Sequence, residues 1–94
     1  MEIQQLETER KGKFFIEKDG IQLAEMTYTY AGPKKIIIDH TEVDESLSGQ
    51  GVGYKLVEAA VDFLRKNDMK VIPLCPFAKA VFDKRIKDYS DVLF

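Results

Sequence analysis

Three glycines at alternate positions, Gly49, Gly51 and Gly53, separate a strand-like run that ends at Val43 from a helix-like run that continues to about Lys66. This junction constrains the chain more than any other stretch. Glycine takes positive φ without a steric cost, but it loses more backbone entropy on folding than any other residue, so one tight turn alone does not call for three. A strand-to-helix turn of this kind presents backbone N–H groups at a helix N-terminus, where the helix dipole is positive. The segment Leu47-Ser48-Gly49-Gln50-Gly51-Val52-Gly53-Tyr54-Lys55-Leu56 is therefore expected to hold a phosphate or pyrophosphate without a basic side chain.

The flanking patterns say what kind of sheet feeds this turn. Residues 3–8 read weakly as a strand, and Lys13 to Glu17 more firmly, being aromatic and β-branched. Asp19-Gly20 is a two-residue hairpin signal. From 22 to 30 the chain alternates, with Ala24, Met26, Tyr28 and Tyr30 on one side and Glu25, Thr27 and Thr29 on the other. Gly32-Pro33 marks the next turn. Lys35 to Val43 makes a third long strand, and strict alternation places Ile36, Ile38 and His40 on one face, Ile37, Asp39 and Thr41 on the other.

After the glycines, Val52, Leu56, Ala60, Phe63 and Leu64 recur at helical spacing, and Asn67-Asp68 supplies the left-handed stop, assigned to Asn67. Val71 to Cys75 follows as a short buried strand, parallel to the 36–43 strand across a crossover, with Pro73 at an edge or a break in pairing. Pro76 suits the first turn of a second helix, to about Lys87, striped by Phe77, Ala78, Val81 and Phe82. The tail from Tyr89 docks as a short strand or stays loose. The expected fold is α+β, a mostly antiparallel sheet in β-β-β-β-α-β-α order.

At 94 residues the chain is read as one domain, 1–94, and the net charge of −2 with interspersed Lys and Arg argues against a general nucleic-acid binder. The lone Cys75 excludes an intrachain disulfide; with no long apolar run and no signal-like start, the expected location is cytoplasmic, away from membranes. One His and one Cys, widely separated, make no metal-ligand set.

The P-loop pattern fails because no Lys-Ser or Lys-Thr pair follows Gly53, and the dinucleotide fingerprint GxGxxG is absent. Gly51-Val52-Gly53 instead fits the end of the [R/Q]-x-x-G-x-[G/A] loop of the GNAT acetyltransferases, with Ser48 standing where that pattern has Arg or Gln. The chain is similar over its whole length to the small, YjdJ-type members of this superfamily. Three segments in order carry the resemblance: Asp39-His40-Thr41-Glu42-Val43, Gly49-Gln50-Gly51-Val52-Gly53 and Cys75-Pro76-Phe77-Ala78-Lys79.

The resemblance implies acetyl-CoA as cofactor and fourth and fifth strands that splay to admit its pantetheine arm as an extra strand. It implies a cofactor site built from Val43, Ser48, Gly49, Gln50, Gly51, Val52, Gly53, Tyr54, Phe77 and Lys79, with the Val43 N–H polarising the thioester carbonyl. One or more of Lys79, Lys84, Arg85 and Lys87 would face the 3′-phosphate. Tyr89 is a weak candidate for the general acid.

For the chemistry, His40 has the side chain whose ordinary pKa of about 6.5 suits a general base near neutrality; the bland alternative is a histidine packed beside Ile36 and Ile38, or a structural hydrogen-bonding residue. Glu42 is the second candidate base, or a solvated charge at a strand end. Cys75, just before a helix, is either an activated thiol that carries acetyl or protonates the leaving thiolate, or a small buried apolar residue. Gly12 to Gly20 leaves no room for the helices that wall the acceptor site in longer members. The expected activity is acetyl-CoA-dependent N-acetylation of an amine on a bulky acceptor, such as a protein lysine or a terminal amine. The rivals are a non-catalytic acyl-CoA-binding module and an interaction domain without ligand.

Overall fold

A computed structural model describes residues 2–94. Four strands come first: β1 (Gln4–Glu7), β2 (Lys11–Lys18), β3 (Ile21–Tyr30) and β4 (Lys35–Val43). A 3-10 turn (Glu45–Leu47) leads to α1 (Val52–Lys66), then β5 (Lys70–Pro73), α2 (Pro76–Lys84), the single-turn α3 (Ile86–Tyr89) and a last 3-10 turn (Ser90–Val92). The sheet order is β1-β2-β3-β4-β5, antiparallel through β4, with β5 parallel to β4. The expected α+β order is the observed one, and the tail resolves into helical turns.

The β2–β3 hairpin turns on Asp19 and Gly20, both at positive φ (53° and 79°), the primed turn that suits strand twist. Phe14, Ile16, Ala24, Met26, Tyr28, Ile36 and Ile38 share one face and are buried. Over them lie α1, through Val52, Leu56, Val57, Ala60, Val61 and Leu64, and α2, through Ala78, Val81 and Phe82. The other face carries Lys13, Phe15, Glu25, Thr27 and Ile37, none of them buried.

Strict alternation fails in β4, and the failure matters. Tyr28 pairs with Ile38 but Thr27 pairs with His40, so Asp39 is an extra residue, a β-bulge. One inserted residue exchanges the two faces from that point on. Thr41 and Val43 then pair with the buried Met26 and Ala24, while His40 and Glu42 pair with Thr27 and Glu25 on the open face. The expectation that His40 shares a face with Ile36 and Ile38, and Thr41 with Ile37, is thus corrected. The carboxylate of Asp39 accepts hydrogen bonds from Thr27 Oγ1 (2.5 Å) and Thr29 Oγ1 (2.8 Å).

Two smaller corrections concern helix ends. Asn67 stays right-handed, and Asp68 takes the left-handed position (φ 55°). The Asn67 amide instead donates to the Phe63 carbonyl (2.8 Å), satisfying one of the last open acceptors of α1. The second helix stops at Lys84, short of Lys87, and the chain turns again into α3. Arg65 then anchors the tail, with a bidentate pair to Asp91 (2.9 Å each) and a bond to Asp88 O.

Candidate functional site

The β4–β5 ladder runs for four pairs, from Lys35 opposite Lys70 to Ile38 opposite Pro73, and stops. Pro73 has no N–H to extend it. The next two amides, Leu74 and Cys75, both donate to the same acceptor, Ile38 O (3.0 Å each). Asp39 to Val43 therefore present an edge of β4 that β5 does not cover, and the splay expected of these strands is present.

At the end of that edge the backbone folds into the glycine loop. The Asp44 carboxylate caps Ser46 N (3.0 Å), and the Ser46 contacts hold it below the usual carboxylate range. Leu47 is buried and pins the turn to the core. Gly49 (φ 78°) and Gly51 (φ 68°) are left-handed, a conformation that costs other residues about 1–2 kcal/mol, and open space surrounds the position of a β-carbon at each. The first intrahelical bond of α1 runs from Lys55 N to Gly51 O (3.1 Å). The amides of Val52, Gly53 and Tyr54 precede it, and neither a capping side chain nor an acidic residue in the first turn compensates them. They open toward a cleft of about 340 Å³ lined by Val43, Ser48, Gly49, Gly51, Val52, Gly53, Tyr54 and Phe77, with Asp44, Glu45 and Leu47.

Eight of the ten expected cofactor residues thus converge there. Gln50 turns away, its amide toward Ser46 O (3.4 Å), and faces a separate groove with Ile16 and Leu23. Lys79 lies outside the cleft, paired with Asp83 (3.2 Å). Gly53 has another reason to lack a side chain: a β-carbon would stand 2.2 Å from Phe77 Cζ. Its smallness seats the Phe77 ring against α1.

Cys75 is the N-cap of α2, with Pro76 at the first helical position, and is 6% exposed. Its thiol donates to Thr41 Oγ1 at 3.3 Å. Burial pushes the thiol pKa up, but the Thr41 hydroxyl and the backbone N–H groups of Ala78 and Phe77 outweigh it, and the net shift is downward. Thr41 escaped the sequence reading because the bulge that turns it inward has no signature in hydrophobic spacing. His40 and Glu42 stand together on the open face, Nε2 to Oε2 3.8 Å, with side chains 54% and 74% exposed. The packed-histidine alternative is therefore excluded. Glu25 lies directly opposite Glu42, an unfavourable like-charge pair beside His40. The strand separates His40 from Cys75, which meets Thr41 from the core side. Tyr89 is buried against Phe82 beneath Arg65, in the tail anchor.

A strand splay beside a glycine-rich helix start is the defining arrangement of an acyltransferase fold, and comparison with known proteins agrees. The family model described as GCN5-related N-acetyl-transferase matches residues 13–92, and the chain belongs to that family. The NMR structure of a GCN5-like protein from Staphylococcus aureus superposes with a TM-score of 0.75 at 41% identity, covering 99% of this chain and 87% of that one. The ribosomal-protein-S18-alanine N-acetyltransferase of Escherichia coli shares the fold (TM-score 0.67, 20% identity, 83% of this chain and 53% of that one). Among curated relatives, Protein NATD1 of Gallus gallus is 33% identical over 73 residues, 76% of this chain and 66% of its own length. Protein NATD1 of Xenopus tropicalis is 36% identical over 52 residues, 55% of this chain. The matches span about half to two thirds of these relatives' length. No helix among the described residues is long and apolar enough to cross a membrane.

Proposed function

We propose that the chain binds acetyl-CoA and transfers the acetyl group to a primary amine carried on a bulky acceptor. The observation that carries this reading is the pairing of two features at one place: uncapped α1 amides beside Gly49 and Gly51, and the uncovered edge of β4 from Asp39 to Val43. The amides suit a pyrophosphate, and the edge suits the amides of a pantetheine arm. When bound, acetyl-CoA supplies an activated acetyl group; the remaining work falls to side chains of this chain.

In this reading the Val43 N–H, at the end of the free edge, polarises the thioester carbonyl. His40 accepts a proton from the acceptor amine on the open face, and Glu42, 3.8 Å away, stabilises the imidazolium that forms. Glu42 is the alternative base. Cys75, held in a thiolate-favouring site, is the group on the opposite side of β4 that protonates the leaving thiolate or receives the acetyl group by thioester exchange. No helix among the described residues covers the open face, and Asp39, Glu42 and Glu25 lie on it around His40, which favours a protonated lysine or terminal amine approaching from solvent.

Calorimetry with acetyl-CoA, followed by mass spectrometry of peptides with free or blocked α- and ε-amines, tests the reading. Binding with a mass gain of one acetyl group supports it. Binding without transfer to any amine would leave an acyl-CoA-binding module, and no binding would remove the cofactor as well.

A further inference from the structure

On the open face of the sheet the strand registers line up two rows of residues. One runs Leu6, Lys13, Thr27, His40 from β1 to β4, and the other runs Lys11, Thr29, Ile37 from β2 to β4. A cavity of about 410 Å³ lies along these rows, lined among others by Leu6, Lys11, Lys13, Thr27, Thr29 and Asp39. It shares no residue with the glycine-loop cleft. His40 is the next residue in two directions: it follows Asp39 along β4 and stands opposite Thr27. The cavity is polarised. At the β4 end is the Asp39 carboxylate, whose bonds from Thr27 and Thr29 use two of roughly four lone pairs. At the β2 end are two cations. Lys13 Nζ is taken, donating to Gln22 Oε1 (2.6 Å) and lying 4.8 Å from the centre of the Phe15 ring. Lys11 is exposed and, among the described residues, has no ion pair.

We infer that this cavity docks a peptide acceptor and that Lys11 selects one with an acidic side chain near the acetylated amine; this rests on the amine-transfer reading above. Asp39, beside His40, attracts the ammonium group of the acceptor before its proton is removed. Lys11 takes the carboxylate. The two strands that carry them, β2 and β4, are two interstrand steps apart, about 10 Å. That is about three residues of extended chain, and more than separates the two charges of a free α-amino acid. The spacing therefore calls for charges on different residues of one peptide. Leu6, 59% exposed on β1, adds an apolar wall beyond the lysines. A simple diamine or a basic peptide meets Asp39 but is repelled at Lys11. Complementarity of this kind sets partner choice more than raw affinity, so its signature is a ranking of peptides by charge.

The experiment uses peptides with one acceptor lysine and an Asp, Ala or Lys placed two to four residues from it, with a simple alkyl diamine for comparison. Binding is read by fluorescence anisotropy and transfer by mass spectrometry, for the unaltered chain, Lys11→Ala and Lys11→Glu, at low and at high salt. The unaltered chain is expected to prefer the Asp peptide over the Lys peptide by about tenfold at low salt, in Kd and KM rather than kcat, and by less as salt rises. Lys11→Ala should bring the three peptides close together, and Lys11→Glu should reverse their order. Unchanged acetyl-CoA affinity in both variants shows that they are folded. Transfer without a charge preference, a preference that survives in Lys11→Glu, or better use of the diamine than of the Asp peptide overturns the inference while the amine-transfer reading stands. Charge-ranked binding without transfer keeps the docking surface and removes the transfer reading. Neither binding nor transfer ends both.

Discussion

The Cys75 thiol meets the Thr41 hydroxyl at 3.3 Å across the gap where β4 and β5 part. This contact bridges the splay on the core side. It also helps hold the thiol below its ordinary pKa against the opposing effect of burial. Thr41→Val should therefore raise the pH midpoint of Cys75 alkylation toward the ordinary thiol value, and acetyl-CoA should slow alkylation in both proteins. The sign for stability follows. A thiol with a depressed folded pKa adds stability above its unfolded pKa and loses it as pH falls through the folded one, so the unaltered chain should gain on Thr41→Val as pH rises through that window. An unmoved midpoint would show that Thr41 does not tune the thiol.

Gly51 and Gly53 should fail differently. Gly51→Ala places a β-carbon in open space but at φ 68°, a strain of about 1–2 kcal/mol. Its loss of acetyl-CoA affinity, at least tenfold, should exceed its loss of melting temperature in significance. Gly53→Ala must displace Phe77, so it should lower the melting temperature more, and Phe77→Ala should restore part of it. Titration calorimetry and thermal unfolding of the three variants check this. Equal melting temperatures would mean that Phe77 moves aside freely.

His40→Ala should leave thermal stability nearly unchanged, within about 0.5 kcal/mol, because the side chain is half exposed and outside the core. Loss of a general base should cost about 10²–10⁴ in turnover while cofactor affinity stays level. The pH dependence of turnover should flatten. Unchanged turnover would move the role to Glu42.

Tyr28 crosses over Gly12 to bind the first strand. A β-carbon at Gly12 would come within 2.5 Å of Tyr28 Oη and 2.9 Å of Leu6 O. The Tyr28 hydroxyl accepts from Gln5 Nε2 (2.7 Å) and donates to Glu7 (3.2 Å), and Tyr30 donates to the same carboxylate. Gly12→Ala should therefore cost about 1–3 kcal/mol by overpacking, read in urea unfolding. Burial, above all, pushes the Tyr28 pKa up to about 12 from 10.0. A raised folded pKa means stability that is whole below pH 10 and declines from there through pH 12. Tyr28→Phe should shrink that alkaline decline, and Tyr30, whose pKa is also raised, accounts for part of the remainder. An identical decline in Tyr28→Phe would place its origin elsewhere.

Much of this was legible in residue order. The Asp19-Gly20 hairpin, the limits of β4 and the helical stripe from Val52 to Leu64 follow from period and turn chemistry, which local sequence controls. The glycine loop was legible because left-handed backbone selects one residue type. The illegible parts are long-range. Asp39 is an ordinary polar residue whose role as an inserted one depends on the register of β3, so the sides taken by His40 and Thr41 were reversed. Gly53 read as a phosphate-loop glycine, and only the packing of α2 reveals Phe77 against it. Lys79 and Gln50 fit the motif, yet Asp83 and the Ser46 carbonyl claim them.

The bulge at Asp39 makes sidedness a matter of counting. Along one strand it sends Ile36 and Ile38, then Thr41 and Val43, to the layer that holds the helices, and sends His40 and Glu42 outward. Removing Asp39 would restore an unbroken period of two and leave His40 outward and Thr41 inward, whereas pairing Asp39 as a regular strand residue would exchange the two sets beyond it. Whether the proton-handling groups face solvent or the thiol layer is thus written in how one residue is accommodated rather than in the composition of the strand, and an insertion beyond the bulge is a larger functional step here than most substitutions.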